Sequence, residues 1–513
     1  MGSAILVVFW ILGYDGITFS DDVFYILTGE AFWKGETVLN AYHFSSRFGA
    51  YLFSGIFTHL FGLDDRIASI PSLLAYLATL FVIIKALPKQ NQQFWAAIFF
   101  VSHVFLLHFL PKVYPDSLLV MWVVLVPFAA TSRAKRPILA AFLLVLSLLI
   151  GFATKETTIY LFPFPVLLFL WDLKQGKPLK FHLWLGSFAL VFGAIYLGYY
   201  WSAFGDPFYR INSVNAGHYI SEYSYNDKAW PAMLNRLTIS PLITFVERSY
   251  WLWLALAVPG VYVGLVKGER IAFEFALALV CLMLGFWFMS TSLELYNPIY
   301  LNPRHLIILI PILAVLIGYG CKYWLENDVA GVYWGIGVLQ GAVIGLLVGD
   351  FKNGLFLLVF GLVMILLGGK FLWLKKTAIC CMLLAAVVFS FSYQRQLKNY
   401  PHFIHQFESA IDTSQELLVV NNFVHFSREV LLPYNQSHQE RLLAVEDTGT
   451  FGKRSPGTFG LFIYKYYKHA YPKETPDIEE FLQLTEKMGY EMIGKKEDKW
   501  VVFYSFSKKG ISN

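Results

Sequence analysis

Long apolar runs separated by short polar stretches make up most of the first 392 residues. Most of these runs are long enough to cross the roughly 30 Å hydrocarbon core of a bilayer as helices. The pattern predicts thirteen membrane-spanning helices, near positions 2–19, 67–86, 93–111, 116–132, 137–152, 157–173, 181–204, 249–266, 271–292, 304–320, 330–349, 354–369 and 376–392. The apolar segment 48–63 is shorter, and we expect it to dip into the membrane or to lie flat on it.

Basic residues between the predicted spans set the orientation of the chain. Lysine and arginine cluster in the loops 133–136, 174–180, 267–270 and 370–376, and such basic loops stay on the cytoplasmic side of a membrane. Alternation of the spans then places the loops 20–47 and 205–248 on the outer side. The part of the first outer loop from 29 to 47 is rich in aromatic residues, which is typical of an interfacial helix.

The composition changes near position 393, which predicts a domain boundary between residues 1–392 and 393–513. Residues 394–513 carry 15 Lys or Arg and 15 Asp or Glu, and they contain no apolar run of span length. The pattern predicts a strand at 417–420, helices at 423–432 and 477–488, and a hairpin around 495–498. These elements indicate a small α/β domain on the outer side of the membrane.

The overall composition excludes most functions of soluble proteins. Only 15% of the 513 residues are charged and 57% are hydrophobic, whereas soluble domains carry about 25% charged residues. The basic cytoplasmic loops explain the net charge of +5, so we expect no nucleic-acid partner. The predicted fold class is an all-α polytopic membrane bundle with a small extracytoplasmic α/β domain.

The few charged residues of the membrane region collect on one predicted face. Taken one at a time, each is better explained as a helix cap or an interfacial anchor. Taken together, they favour a functional site on the outer face. The residues placed there are Asp21, Asp22, Arg47, Asp116, Lys155, Glu156 and Arg304, together with the loop 205–248.

The adjacent carboxylates of Asp21 and Asp22 directly follow the first apolar run. Such a pair suits a general base for an acceptor hydroxyl or amine, and it also suits a ligand of a divalent metal ion. A third interpretation is the capping of an interfacial helix, which uses the same residue types.

Short motifs in the first 320 residues resemble the GT-C class of membrane glycosyltransferases. Within that class they are most similar to the protein O-mannosyltransferase and lipid A aminoarabinose transferase families. The motifs that carry the resemblance are Asp21-Asp22-x-x-Tyr25, Gly29-Glu30, Lys34-Gly35, Phe61-Gly62, Arg66, Tyr114-Pro115-Asp116, Gly151-Phe152-Ala153-Thr154-Lys155-Glu156-Thr157 and Pro163, with Pro303-Arg304-His305 and Pro311 as a looser match.

The resemblance implies transfer of a sugar from a polyprenyl-phosphate donor to a lipid, glycan or protein acceptor at the outer face of a membrane, in a bacterium the inner membrane. It implies that Asp21 is the general base for the acceptor, that Asp22 supports it, and that Asp116 is a second functional carboxylate.

Cationic side chains would stabilise the phosphate of such a donor as it leaves. Arg47, Lys155 and Arg304 are the candidate phosphate partners, and Glu156 and Tyr25 complete the predicted donor site. We expect His305 to be a packing residue at a helix end.

The region His43-Phe44-Ser45-Ser46-Arg47-Phe48-Gly49 departs from the lipid A transferases. Those enzymes carry a Pro-Pro pair and an acidic residue there, and this chain has neither. The departure argues against aminoarabinose as the sugar and leaves a divalent metal ion without support. No other cofactor is predicted.

The loop 205–248 contains Tyr209, Tyr219, Tyr223, Tyr225 and Trp230. These aromatic residues suit either a lid over a sugar or an interfacial belt.

Two functions other than glycosyl transfer stay open. A transporter or flippase would need charges near mid-membrane and internal repeats, and neither pattern is visible. A membrane scaffold would use the C-terminal domain to bind a partner.

Overall fold

Apolar helices dominate the chain, since a helix satisfies its own backbone hydrogen bonds in lipid. The computed structural model describes residues 1–36, 43–215, 224–225, 227–292, 295–367, 371–414 and 416–509. The helices of the predicted spans are Gly2–Leu12, Asp65–Ala68, Ile70–Ala86, Gln90–Val101, Val104–Phe109, Pro115–Thr131, Pro137–Thr154, Pro163–Lys174, Lys180–Phe204, Trp251–Leu265, Arg270–Phe288, Pro303–Leu306, Leu309–Cys321, Asp328–Leu347, Phe351–Leu366 and Leu372–Lys398, with a 3₁₀ helix Glu156–Leu161 and a π-helix Lys322–Glu326.

Within the described residues, eight helices are long and apolar enough to cross a membrane, and five shorter apolar helices accompany them. The chain is therefore an integral membrane protein, as its composition predicts. Every predicted span contains a helix, while the count of thirteen crossings stays a prediction.

Several predicted spans end or break earlier than the pattern indicated. The helix predicted at 271–292 ends at Phe288, and the span predicted at 304–320 is two helices, Pro303–Leu306 and Leu309–Cys321. The first helix ends at Leu12 rather than near Phe19: Gly13 is its C-cap, and Asp15, just beyond it, is buried in an ion pair with Lys112. The predicted helix over 93–111 is two helices, because His103 has an extended backbone and its imidazole caps the second of them.

The first outer loop contains a helix that begins at Asp21. Asp21–Lys34 and Phe48–Phe61 form an antiparallel pair, joined in part by the 3₁₀ helix His43–Ser46. The aromatic stretch from 29 to 47 is thus not one interfacial helix: the helix starts earlier, where two acids favour its N-terminus, and it ends at the left-handed Gly35. Gly29 and Gly55 meet at the crossing, where a Cβ atom on either would collide with the opposite backbone.

The loop 205–248, which is predicted to be an outer loop, is helical in much of its described part. Its helices are Tyr209–Asn215, Trp230–Thr238 and Ser240–Glu247. The polar composition of this loop had indicated no such elements, and the short helices lie against the bundle rather than crossing it.

The C-terminal region is a five-stranded mixed sheet with helices around it. Its strands are β1 (Leu418–Val420), β2 (Leu442–Ala444), β3 (Thr458–Tyr464), β4 (Tyr490–Glu497) and β5 (Val501–Lys508), in the order β2-β1-β3-β5-β4. Strands β1, β2 and β3 are parallel, and β3, β5 and β4 are antiparallel. Its helices are Tyr400–Thr413, Asn422–Phe426, Arg428–Leu431, Gln436–Glu440, Thr448–Arg454, Tyr467–Ala470, Pro472–Glu474 and Thr475–Lys487.

The predicted α/β elements of this region are present. The strand at 417–420 is β1, the hairpin is β4 with β5, and the helix at 477–488 is Thr475–Lys487. The predicted helix at 423–432 is two short helices interrupted at Ser427. The boundary at 392 and 393 stays a prediction, and the last membrane helix continues past it to Lys398.

Two hydrophobic cores organise the molecule. One lies among the membrane helices. The other belongs to the C-terminal sheet, and it also includes Ile17, Phe19, Val23 and Tyr25 from the first outer loop. The start of the helix Asp21–Lys34 is therefore packed against the C-terminal domain.

Candidate active site

Asp21 and Arg304 form an ion pair at the end of the bundle that is predicted to face outwards. Nη1 of Arg304 lies 3.0 Å from Oδ2 of Asp21, and its Nε lies 3.5 Å from Oδ2 of Asp116. The short helix Pro303–Leu306 holds the arginine, because Asn302 caps that helix by accepting a hydrogen bond from the Arg304 amide. The guanidinium also lies over the ring of Tyr114, 4.6 Å from its centre.

Asp116 and Lys155 form a second, fully buried pair. Nζ of Lys155 donates to both carboxylate oxygens of Asp116, at 2.7 and 2.8 Å. Lys155 occupies the break between the helix Pro137–Thr154 and the 3₁₀ helix that follows. Burial, helped by the positive charges of Arg304 and Arg47, lowers the pKa of Lys155 to about 8, although Asp116 opposes the shift.

Glu156 is held between two buried arginines. Arg47 binds it with Nε at 3.2 Å and Nη2 at 2.7 Å, which is a bidentate arrangement. Arg210 donates to the same carboxylate at 2.9 Å. The remaining nitrogen of the Arg47 guanidinium, Nη1, donates to the hydroxyl of Tyr25 at 2.8 Å. All four side chains thus form one hydrogen-bonded network.

Asp22 has a different environment from Asp21. Its carboxylate is buried and accepts hydrogen bonds from the Thr18 amide and hydroxyl and from the amides of Ser20 and Val23, at 2.5 to 3.1 Å. The geometry makes Asp22 the residue that shapes the turn before the helix. A catalytic role for it stays a prediction.

The two networks border one cavity of about 500 Å³. Its wall includes the charged residues Arg47, Lys155, Glu156, Arg210 and Arg304, a polar turn with Ser290, Thr291 and Asn297, and the side chains of Tyr300 and His305. Asp21 and Asp116 both pair with Arg304 of this wall. With these two acids and Glu156 included, the site has four cationic side chains and three carboxylates, which gives it a formal charge of +1. The cavity is suited to an anion.

Some donors on the cavity wall make no hydrogen bond. Among the described residues, these are Nε of Arg210, the hydroxyl of Thr157 and Nε of Arg304, whose contact with Asp116 at 3.5 Å is an ion pair without a hydrogen bond. A buried polar group without a partner is rare and costs free energy. These three donors leave hydrogen-bonding capacity for a ligand that offers acceptor oxygens.

The structure brings together the predicted site residues Asp21, Arg47, Asp116, Lys155, Glu156, Tyr25 and Arg304. Span alternation alone had placed most of them on one face. Nδ1 of His305 donates to the carbonyl oxygen of Tyr300 at 3.0 Å, and the side chain lines the cavity as well as lying at a helix end.

Sequence reasoning missed Arg210. It lies in the loop 205–248 directly after Tyr209, and an arginine among aromatic residues was the only signal available in the sequence. Its burial is visible only in the structure. In the same loop, Tyr209 stacks on Phe204 with ring centres 3.8 Å apart. Tyr219 and Tyr223 lie outside the described residues, and the predicted lid stays a prediction.

The carboxylate pair does not have the arrangement of a metal site. Both oxygens of Asp22 accept hydrogen bonds from its own turn, whereas Asp21 faces Arg304. Across the part of the chain that the structure describes, no group of three or more His, Cys, Asp or Glu residues could hold a metal ion.

No family model matches the sequence, and no curated protein matches it. Solved structures do match in fold. ArnT from Cupriavidus metallidurans, a lipid A aminoarabinose transferase of the GT-C class, was solved bound to undecaprenyl phosphate and in the apo state. Each structure superposes with a TM-score of 0.56 and 14% sequence identity, over 98% of this chain and 97% of that chain. The chain has a GT-C-like fold.

An archaeal oligosaccharyltransferase, AglB from Archaeoglobus fulgidus in complex with an inhibitory peptide and a dolichol-phosphate, also matches. Its TM-score is 0.43 and its identity 10%, over 100% of this chain and 75% of that chain. The GT-C-like fold agrees with the motifs near Asp21 and Asp116, which had predicted it.

Proposed function

We propose that this GT-C-like protein is a glycosyltransferase that moves a sugar from a polyprenyl-phosphate donor to an acceptor at the outer face of the membrane. The observation that carries the proposal is the cavity of about 500 Å³, which has an excess of cations and lies beside Asp21. A lipid phosphate is an anion with several acceptor oxygens. The donors of Arg210, Arg304 and Thr157 that make no hydrogen bond within the protein match that chemistry.

The transfer needs a base and a stabilised leaving group. The acceptor oxygen or nitrogen attacks the anomeric carbon, and the bond from that carbon to the phosphate oxygen breaks. Asp21 takes the acceptor proton, and the phosphate leaves with the bonding electrons and is held by the cations. An inverting single displacement fits one base on one side of the sugar, and the resemblance to GT-C enzymes favours it.

The shared fold supports the choice of donor. ArnT was solved with undecaprenyl phosphate, and this chain covers nearly all of that structure with the same fold. We therefore propose undecaprenyl phosphate, in a bacterial inner membrane, as the carrier. The cavity and the C-terminal domain then face the extracytoplasmic side, as the basic loops predict.

The test is a transfer assay in proteoliposomes, with the lipid-linked sugar first identified by mass spectrometry of lipids that copurify with the protein. Asp21→Asn should lower kcat by about 10² to 10⁴-fold, because the acceptor then lacks its base. Binding of undecaprenyl phosphate should persist. Asp206→Asn is the matched control, since Asp206 is also an outer carboxylate but binds only its own loop.

Two results would contradict the proposal. Full transfer by Asp21→Asn would remove Asp21 as the base. A wild-type protein that neither binds undecaprenyl phosphate nor transfers any sugar from a lipid carrier would overturn the proposed function itself.

A further inference from the structure

Residues 14–20, here called the leader segment, connect the first helix to Asp21. These residues form neither helix nor strand. Side chains that lie 381 and 453 residues later in the sequence hold their backbone. Nζ of Lys398 donates to the carbonyl of Ile17. The hydroxyl of Tyr471 lies 2.7 Å from the carbonyl oxygen of Thr18 and 3.0 Å from that of Phe19, and its proton is shared between them.

Phe19 is the residue where the leader segment is most constrained. Its φ angle is +61°, in the left-handed region that a bulky side chain rarely adopts. Such strain persists only where the surrounding structure imposes it. The surroundings here are aromatic rings of the C-terminal domain: the ring centre of Phe19 lies 5.0 Å from Phe423, 5.7 Å from Phe403 and 6.0 Å from Tyr464.

Hydrogen bonds connect the leader segment to Asp21 and Asp22. The amide and hydroxyl of Thr18, whose carbonyl Tyr471 holds, both donate to Asp22. Asp22 in turn accepts from the amides of Ser20 and Val23, which closes the turn around the first residue of the helix. Asp21 lies inside this turn, so a shift of the leader segment moves its carboxylate relative to the cavity.

We propose that the C-terminal domain positions the base, and that Tyr471 is the positioning residue through which it acts on Asp21. The inference rests on the proposed function, because it assigns Tyr471 to the transfer step. The C-terminal domain then contributes to turnover without contacting the donor.

The testing variant is Tyr471→Phe in the full-length protein. It removes the hydroxyl from the two carbonyls and keeps the ring that stacks on Phe423 with centres 4.6 Å apart. The matched control is Tyr490→Phe, which also removes a hydrogen bond from a tyrosine hydroxyl to a backbone carbonyl, that of Pro456 at 2.7 Å, wholly within the C-terminal domain.

Two readouts separate positioning from a merely structural role. Misplacement of a reacting group by about 1 Å costs about 10²-fold in rate, so kcat of Tyr471→Phe should fall about 10- to 100-fold. KM for the lipid donor should stay within about twofold of the wild-type value, because no contact to the cavity changes. Hydrogen–deuterium exchange should rise in the peptide 14–24 of Tyr471→Phe, while Tyr490→Phe matches the wild type in both measurements.

The outcomes are distinguishable from a failure of the proposed function. Unchanged exchange in the peptide 14–24 overturns the inference, and so does raised exchange with an unchanged kcat. If the wild-type protein shows no sugar transfer, the proposed function fails, and the exchange comparison between the two variants still decides whether the C-terminal domain holds the residues around Asp21.

Discussion

Nη1 of Arg304 lies 3.0 Å from Oδ2 of Asp21, although 283 residues separate the two. The same guanidinium faces Asp116, so one arginine bridges two carboxylates at the edge of the cavity. An arginine presents five donors in a fixed fork, which lets it hold both acids and still face a phosphate. The pair therefore links the proposed base to the proposed donor site.

Replacing Arg304 by glutamine should lower kcat/KM by about 10²-fold, which is typical of removing one preorganised donor from a developing charge. Glutamine keeps a hydrogen-bond donor but loses the charge that pairs with Asp21 and Asp116. The measurement is steady-state transfer in proteoliposomes. Arg441→Gln is the control, since Arg441 donates to backbone carbonyls of the C-terminal domain. If kcat/KM of the Arg304 variant stays within twofold of the wild-type value, Arg304 has no role in the transfer reaction.

Arg210→Gln should weaken the binding of undecaprenyl phosphate by about 10- to 100-fold, since a hydrogen bond to a charged group contributes about 1.5–3 kcal/mol. Arg210 lines the cavity, and Glu156 keeps Arg47 as its second partner, so the local fold should survive. The measurement is a titration of the purified protein with the lipid. Arg441→Gln serves again as the control, and equal dissociation constants in both variants would exclude Arg210 from the donor site.

The affinity for the lipid phosphate should fall as the pH rises through about 8. Burial lowers the pKa of Lys155 from 10.5 to about 8, so the folded protein loses this positive charge above that pH. Dissociation constants measured between about pH 7 and 9.5 should show the fall, and Lys155→Arg should remove it because arginine stays charged. A wild-type profile as flat as that of Lys155→Arg would contradict the assignment.

The lowered pKa of Lys155 also predicts that stability, unlike the affinity for the lipid, rises with pH. The unfolded chain keeps the Lys155 proton up to a pKa near 10.5, whereas the folded protein releases it near 8. The unfolded state therefore binds more protons between these values, and the contribution of Lys155 to the free energy of unfolding rises with pH across that window. Thermal unfolding of the wild-type protein compared with Lys155→Arg measures this contribution.

Gly55→Ala should destabilise the protein by about 1–3 kcal/mol, the range for overpacking a tight contact. A Cβ atom on Gly55 would meet the backbone of Gly29 rather than a flexible side chain, so neither helix could yield locally. Gly193→Ala is the matched control on an open helix face, where a Cβ atom meets nothing within 4 Å. The melting temperature in detergent should fall for the first variant only, and equal values would contradict the close helix contact.

The fold class and the face of the site were accessible from the sequence. Backbone groups in lipid must be satisfied within the segment, so apolar runs become helices whatever their neighbours. Basic loops orient those helices, and alternation then brings Asp21, Asp116 and Lys155 to one side. The helix ends were less predictable: the first helix stops at Leu12, and Asp15 just beyond it pairs with Lys112, a contact across 97 residues that no local pattern reveals.

The sequence by itself thus determined a polytopic bundle, an α/β domain after it, and the set of charged residues that form the candidate site. Only the tertiary structure decided how these charges are paired, because Asp21 and Arg304 meet through the packing of distant helices. It also separated Asp21 from its neighbour Asp22, whose carboxylate is satisfied by its own turn. Tyr471 hydrogen-bonds to backbone carbonyls of the leader segment. Every residue has a backbone carbonyl, so the residue types of the leader segment could not predict this contact.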